Sequence, residues 1–182
     1  MSLQFRFDEL KSVQAAALIA QQPGIDMCNY LKLIKLLYLA DCNSLLQTGT
    51  TITGDSFCNM KNGQVLSNVL RCIKEPKLFQ IWNGYFSKNE YKVLLISDPG
   101  DSELSDFDVD ILLSLSKEFE KYTWGEMIEY HHKLPEWRDP GEGRYLLDPI
   151  DVLRARGVDD EIILEFESQN EYIQSVQRMF GQ

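Results

Sequence analysis

The sequence predicts a mainly α-helical domain with one small antiparallel β-ribbon, an α+β fold built compactly around a central apolar helix. Three observations carry this. The stretch 27–47 is apolar almost all round, with Leu31, Leu33, Ile34, Leu36, Leu37, Tyr38, Leu39, Ala40, Leu45 and Leu46, and a helix without a polar face belongs inside a fold. Several flanking segments repeat their apolar residues at helical spacing. Strand-like patterns are confined to 57–61 and 91–97.

The elements follow in order. Asp8 caps a first helix carrying Leu10, Val13, Ala17 and Leu18, which Pro23-Gly24 stops. Asp26 stands ready to cap the central helix, on which Lys32, Lys35 and Asn43 mark one wet edge. Asp41 does not share that edge. At about 100° per residue it points away from Lys32, among Ile34, Leu37 and Leu45. A carboxylate there needs partners, because a bare one costs several kcal/mol, on the order of the penalty for any buried ion. Two readings stand: a site carboxylate, or a buried tie holding a loop or second helix. The tie is favoured, with Arg71 and Lys61 as candidate partners.

Gly49, within Thr48-Gly49-Thr50, suits a helix C-cap. Residues 52–56 read as a turn and 57–61 as a short strand. Asn62-Gly63 opens a helix with Val65, Val69, Leu70 and Ile73, ended or kinked by Pro76. A short helical piece covers 78–86. Residues 91–97 form the strongest strand, which pairs most simply with 57–61. Ser105 caps a helix whose inner face is Val109, Leu112, Leu113 and Phe119, with Asp106 and Asp108 in its first turn, where the helix dipole favours acids. Thr123 caps a helix over 124–132. Residues 134–143 are a loop, a helical turn follows Pro149, and a long helix starts near Asp159. Ile162, Phe166, Ile173, Val176 and Phe180 make its apolar stripe, for docking on its own domain or else on a partner or a second copy. The chain therefore divides into a helical domain over 1–148 and a docked helical extension over 149–182.

The formal charge of −10 argues against a nucleic-acid binder, which needs clustered Lys and Arg. An acidic surface favours solubility and steers basic partners. No stretch reaches the roughly 20 apolar residues of a membrane span, and the run from Ala15 to Ala20 is too brief for a leader. Cys28, Cys42, Cys58 and Cys72 show no close paired spacing; Cys28 and Cys42 would lie about 21 Å apart on one helix. A cytoplasmic protein with reduced, buried thiols is expected.

Little points to catalysis. The only G-x-G, Gly141-Glu142-Gly143, follows no strand. His131 and His132 are neighbours and would point about 100° apart on a helix, which suits no shared metal. Acid clusters at Asp98 and Asp101, at Asp106, Asp108 and Asp110, and at Asp159, Asp160 and Glu161 sit in loops or first helical turns, where acids have structural reasons to be. No enzyme activity, cofactor or metal is expected.

Four segments in order carry a resemblance: Leu33-Ile34-Lys35-Leu36-Leu37-Tyr38-Leu39-Ala40-Asp41; Ile52-Thr53-Gly54-Asp55-Ser56-Phe57; Met60-Lys61-Asn62-Gly63-Gln64-Val65; and His132, Pro135 and Trp137. Over about 26–140 the chain resembles the Panacea domain, or SocA-like antitoxin domain, whose pattern is a K-L-L-Y-L-A-D helix, an I-T-G-D turn, an M-x-x-G-P-V helix start and an H-x-x-P-x-W element. It departs at Gln64, where the family has proline; at a helical first turn that loss weakens the start slightly. The resemblance implies an antitoxin from a bacterial or phage toxin–antitoxin pair that neutralises a cognate toxin by direct contact. The alternative it implies is an adaptor or interaction module that delivers a partner to an ATP-dependent protease. Lys61, Asn62, Gly63 and Trp137 are the partner-binding candidates. Trp137 is either an exposed anchor or packed over His132. Asp41, Asp55 and His132 are read as structural polar ties, and the C-terminal helix as a possible homodimer contact.

Overall fold

The computed structural model describes residues 3–25 and 29–180. The chain runs α1 (Glu9–Ala20), α2 (Tyr30–Thr48), β1 (Phe57–Met60), β2 (Val65–Leu66), α3 (Ser67–Lys74), a 3-10 turn (Pro76–Leu78), α4 (Gln80–Tyr85), β3 (Phe86–Asn89), β4 (Lys92–Leu95), α5 (Asp106–Glu118), α6 (Trp124–His132), β5 (Arg144–Leu146), α7 (Pro149–Ala155) and α8 (Asp160–Phe180). Among the described residues the fold is mainly helical with two small antiparallel sheets. Among the described residues no helix is long and apolar enough to cross a membrane.

α2 is the centre. It packs against α1, α3, α5, α6, α7 and β2, which explains why it has almost no polar side. Leu36, Leu37, Tyr38 and Leu45 are fully buried. Each such side chain contributes about 1.5–3 kcal/mol of burial, and truncating one to alanine costs roughly 2–5 kcal/mol. Asn29 caps the helix, accepting from the Leu31 amide at 2.9 Å; the anticipated cap Asp26 lies outside the described residues, as does Cys28. Gly49 closes it at φ 72°, its amide donating to Leu45 O, the left-handed end that glycine adopts without strain.

The expected wet edge of α2 is mostly dry. Lys32 and Lys35 are buried and Asn43 half-buried. Lys32 Nζ donates to Glu120 O at 2.9 Å beyond the end of α5, where a helix gathers unpaired carbonyls. The anticipated caps of α1, α5 and α6 are present: Asp8 accepts from the Lys11 amide, and Ser105 and Thr123 each form a capping box with Asp108 and Glu126. On α5 the inward residues are Ile111, Leu112 and Leu115, while Leu113 faces outward. The reason is phase, since the stripe follows Asp108, which is drawn in by Lys11 at 2.9 Å.

The strand pairing differs from expectation. β4 pairs with β3, Phe86 opposite Leu95, forming a local hairpin through Glu90 at φ 55°. β1 pairs instead with β2 and β5 in the order β2-β1-β5. A neighbouring strand closes a shorter loop than a distant one. Asn62-Gly63 accordingly opens no helix: it turns β1 into β2, and α3 begins at Ser67. Gln64 thus stands between two strands, so its lack of a proline ring does not touch a helix start.

α7 buries Ile150, Val152 and Leu153 in the common core. α8 lies outermost. Its buried residues are Ile163 and Asn170, and Phe166 packs beside Gly49. Of the expected stripe, Ile162, Ile173 and Phe180 are exposed. Cys42, Cys58 and Cys72 are free and buried.

Candidate functional site

The four sequence motifs meet along the middle of α2, at Lys35, Tyr38 and Asp41, at two levels. The lower level is a chain of polar ties. Asp41 Oδ1 accepts the amides of Ile52 and Thr53, both at 3.0 Å, and its Oδ2 accepts the Thr53 hydroxyl. Thr53 Oγ1 in turn accepts the Asp55 amide at 3.2 Å. Asp55 then accepts the amides of Ser56 at 2.7 Å, Asn68 at 2.9 Å and Val69 at 2.8 Å. Asn68 and Val69 lie in the first turn of α3, whose own cap position, Leu66, has no polar side chain. Asp55 therefore supplies the capping carboxylate from a distant loop. Gly54 between them has φ 68°, and a β-carbon there would lie 2.0 Å from Arg6 O, so only glycine passes.

Arg71 and Lys61, the anticipated partners of Asp41, are elsewhere. Arg71 lies over the Phe79 ring and Lys61 Nζ pairs with Glu142 at 2.7 Å. The Ile52 and Thr53 amides and the Thr53 hydroxyl replace them because the I-T-G-D loop passes over α2 at Asp41, about two turns before its end. Burial raises Asp41 from 3.8 to about 7 despite its three hydrogen bonds, and burial also raises Asp55.

The upper level is the turn at 60–64 and the H-x-x-P-x-W element that clasps it. Gly63 N donates to Met60 O at 2.9 Å. Trp137 Nε1 donates to the same carbonyl at 3.3 Å. His132 Nε2 donates to Lys61 O at 2.9 Å; a carbonyl only accepts, so the proton sits on Nε2. The His132 and Trp137 rings stack with centroids 4.1 Å apart. Trp137 is half-buried by this packing, Lys61 and Asn62 are exposed at the tip, and Gly63 is buried. Gly63 has φ 91°, and a β-carbon would sit 2.7 Å from His131 Cβ and 2.8 Å from Lys35 Nζ.

Beneath the turn lies a buried polar layer that no sequence motif announces. Lys35 Nζ, fully buried, donates to Gln64 O at 3.3 Å. Burial lowers Lys35 from 10.5 to about 7. His131 Nδ1 donates to Gln64 Oε1 at 3.1 Å. Burial, reinforced by the Lys35 and Arg156 charges, holds the His131 imidazole well below its ordinary value. Tyr38 leaves this layer in another direction: its hydroxyl donates to Glu136 Oε1 at 2.9 Å. Arg156 grips the same carboxylate through Nε at 3.0 Å and a terminal nitrogen at 2.6 Å. A signal for Lys35 is present, since its helical neighbours other than Lys32 are apolar. Glu136 and Arg156 carry no spacing that would join them.

The arrangement rigidifies a surface turn by tying its backbone from three directions. Among the described residues Asp41 is held by Ile52 and Thr53, while His131 bonds Gln64 and His132 bonds Lys61. No group of three or more His, Cys, Asp or Glu is placed to hold a metal ion among the described residues.

Comparison with known proteins adds one match. The family model described as antitoxin SocA-like, Panacea domain, covers residues 33–138, from the first full turn of α2 to just past Trp137. No curated protein matches the chain, and no solved structure does.

Proposed function

The chain belongs to the SocA-like antitoxin family defined by the Panacea domain, and from that premise we propose that it neutralises a cognate toxin by direct protein–protein contact, without catalysis. The family match carries the reading. The geometry supports it by offering a preorganised edge: Lys61 and Asn62 stand exposed on a turn whose carbonyls are held by His132 and Trp137. A turn already held in shape loses little freedom on binding. Lys61 and Asn62 make the contact, with the exposed rim of Trp137 beside them. Gly63 contributes by shape alone, since it is buried. Asp41, Asp55 and His132 serve as the ties that hold this edge. Residues 149–182 act as an extension anchored through α7 and the first half of α8.

The test is co-expression with the protein encoded by the adjacent open reading frame. That protein alone is expected to arrest growth, and this chain to restore growth and co-purify with it. Lys61→Glu with Asn62→Asp is expected to weaken co-purification while leaving the thermal midpoint in place. A neighbour that is harmless alone and never co-purifies overturns the reading.

A further inference from the structure

α8 carries two faces, one packed on the chain and the other largely exposed among the described residues. Ile163 is buried, Phe166 packs beside Gly49, and Asn170 clamps the N-terminal segment, its Nδ2 donating to Gln4 O and its Oδ1 accepting from Gln4 N, both at 3.0 Å. Gln174 Nε2 adds a bond to Gln4 O at 3.1 Å. At about 100° per residue, Ile163, Asn170 and Gln174 fall within a narrow sector. Ile162, Ile173, Val176 and Phe180 fall roughly 100° round from it, and Tyr172 and Met179 widen that second stripe. Ile173 is 40 % exposed, Phe180 76 % and Met179 80 %. Ile173, Val176 (half-buried) and Phe180 repeat at i, i+3, i+7, and a largely exposed apolar run at such spacing is the pattern of a helix that fills a groove in a partner.

Charge decides what kind of partner. Residues 159–182 contain six acids and one arginine, which amounts to half the chain's net charge of −10. Glu161 and Glu165, both exposed, border the free stripe. A second copy would bring two acidic borders together and repel itself. A basic surface with an apolar groove would be attracted. Resting on the antitoxin reading, we infer that the second face of α8 is a toxin-docking helix, and that its occupant is a basic partner with an apolar groove. This face is separate from the Lys61–Asn62 turn and gives the chain a second point of attachment.

The experiment uses the full chain and the protein encoded by the adjacent open reading frame, with affinity measured across a salt series. Ile173→Asp with Val176→Asp is expected to lower affinity by about 30-fold, the scale of a lost hot spot, with thermal midpoint and helix content unchanged. Glu161→Lys with Glu165→Lys is expected to lower it by roughly 10-fold at low salt, with the difference shrinking as salt rises. The charge pair also keeps the inference testable should the apolar pair fail to fold. Binding that neither pair alters, with toxin still neutralised, overturns the docking face and leaves the antitoxin reading standing. A wild-type chain that neither binds nor neutralises overturns both. A sedimenting dimer that the Ile173 and Val176 substitutions convert to monomer assigns the face to a second copy and overturns the inference.

Discussion

Asp41 and Thr53 are joined twice, once through the Thr53 amide to Oδ1 at 3.0 Å and once through its hydroxyl to Oδ2. This pair of hydrogen bonds anchors the I-T-G-D loop to the body of α2, and through Thr53 and Asp55 it reaches the first turn of α3. Asp41→Ala leaves the Ile52 and Thr53 amides buried without acceptors, at about 1–3 kcal/mol each. A loss of roughly 2–5 kcal/mol is expected by urea denaturation, and a change below about 1 kcal/mol would contradict the role of Asp41 as a tie. Thr53→Val should cost less, because the backbone amide remains.

The same carboxylate sets a pH dependence. Burial lifts Asp41 from 3.8 to about 7, so the folded chain holds a proton that the unfolded chain releases earlier. The contribution is whole below the unfolded value and is lost as pH rises through about 7. Stability attributable to Asp41 therefore falls across that window. Asp41→Asn should flatten the fall in denaturation midpoints measured from pH 4 to pH 7; an unchanged slope would place the titration elsewhere.

Lys35 acts in the next window with the opposite slope. Its folded value is lowered from 10.5 to about 7, so between these values the unfolded chain binds the extra proton. Its contribution is whole above the unfolded value and lost as pH falls through about 7. Lys35→Met should remove the rise in stability from pH 7 to pH 10 and raise the midpoint at pH 7. A variant less stable than the parent at pH 7 would mean that the bond to Gln64 O outweighs the burial of the amine.

How much of this was legible follows from where each interaction's partners lie. The caps Asp8, Ser105 and Thr123 sit within three residues of what they bind, so the sequence shows them directly. The apolar run of α2 announces a central helix for the same reason. Residue pattern leaves the partner of β4 open, because any two strand-like segments can pair, and loop length decides for β3 over β1. Lysine is usually exposed, so the sequence predicts a wet edge at Lys35 although its helical neighbours other than Lys32 are apolar. The position of Asp41 marks it, but two of its three donors are backbone amides, which every residue offers and no pattern singles out. Glu136 and Arg156 meet only after the chain has folded around Tyr38.

Gly63 tests how tightly the turn rests on the buried layer. A β-carbon there would lie 2.7 Å from His131 Cβ, in a backbone at φ 91°. Lys35 Nζ, the end of a flexible chain, can shift; the His131 β-carbon sits on α6 and cannot shift cheaply. Gly63→Ala should cost about 1–3 kcal/mol and weaken toxin binding by misplacing Lys61 and Asn62. Wild-type stability in this variant would show that the turn floats free of His131.

Arg156 reaches from beyond α7 to a carboxylate shared with Tyr38 of α2, and so ties the segment after the matched region to the central helix. The Glu136 side chain is 2 % exposed and that of Arg156 16 %. Removing only the cation strands a buried negative charge, a loss of about 3–5 kcal/mol. Arg156→Met should show that loss in urea, whereas Arg156→Met with Glu136→Gln should recover part of it, because the neutral amide still accepts from the Tyr38 hydroxyl. A coupling of more than about 1 kcal/mol in the double-mutant cycle is expected. Strictly additive losses would mean that Glu136 is satisfied by Tyr38 alone, and that the C-terminal segment is held by the apolar burial of Ile150, Val152 and Leu153 rather than by this bridge.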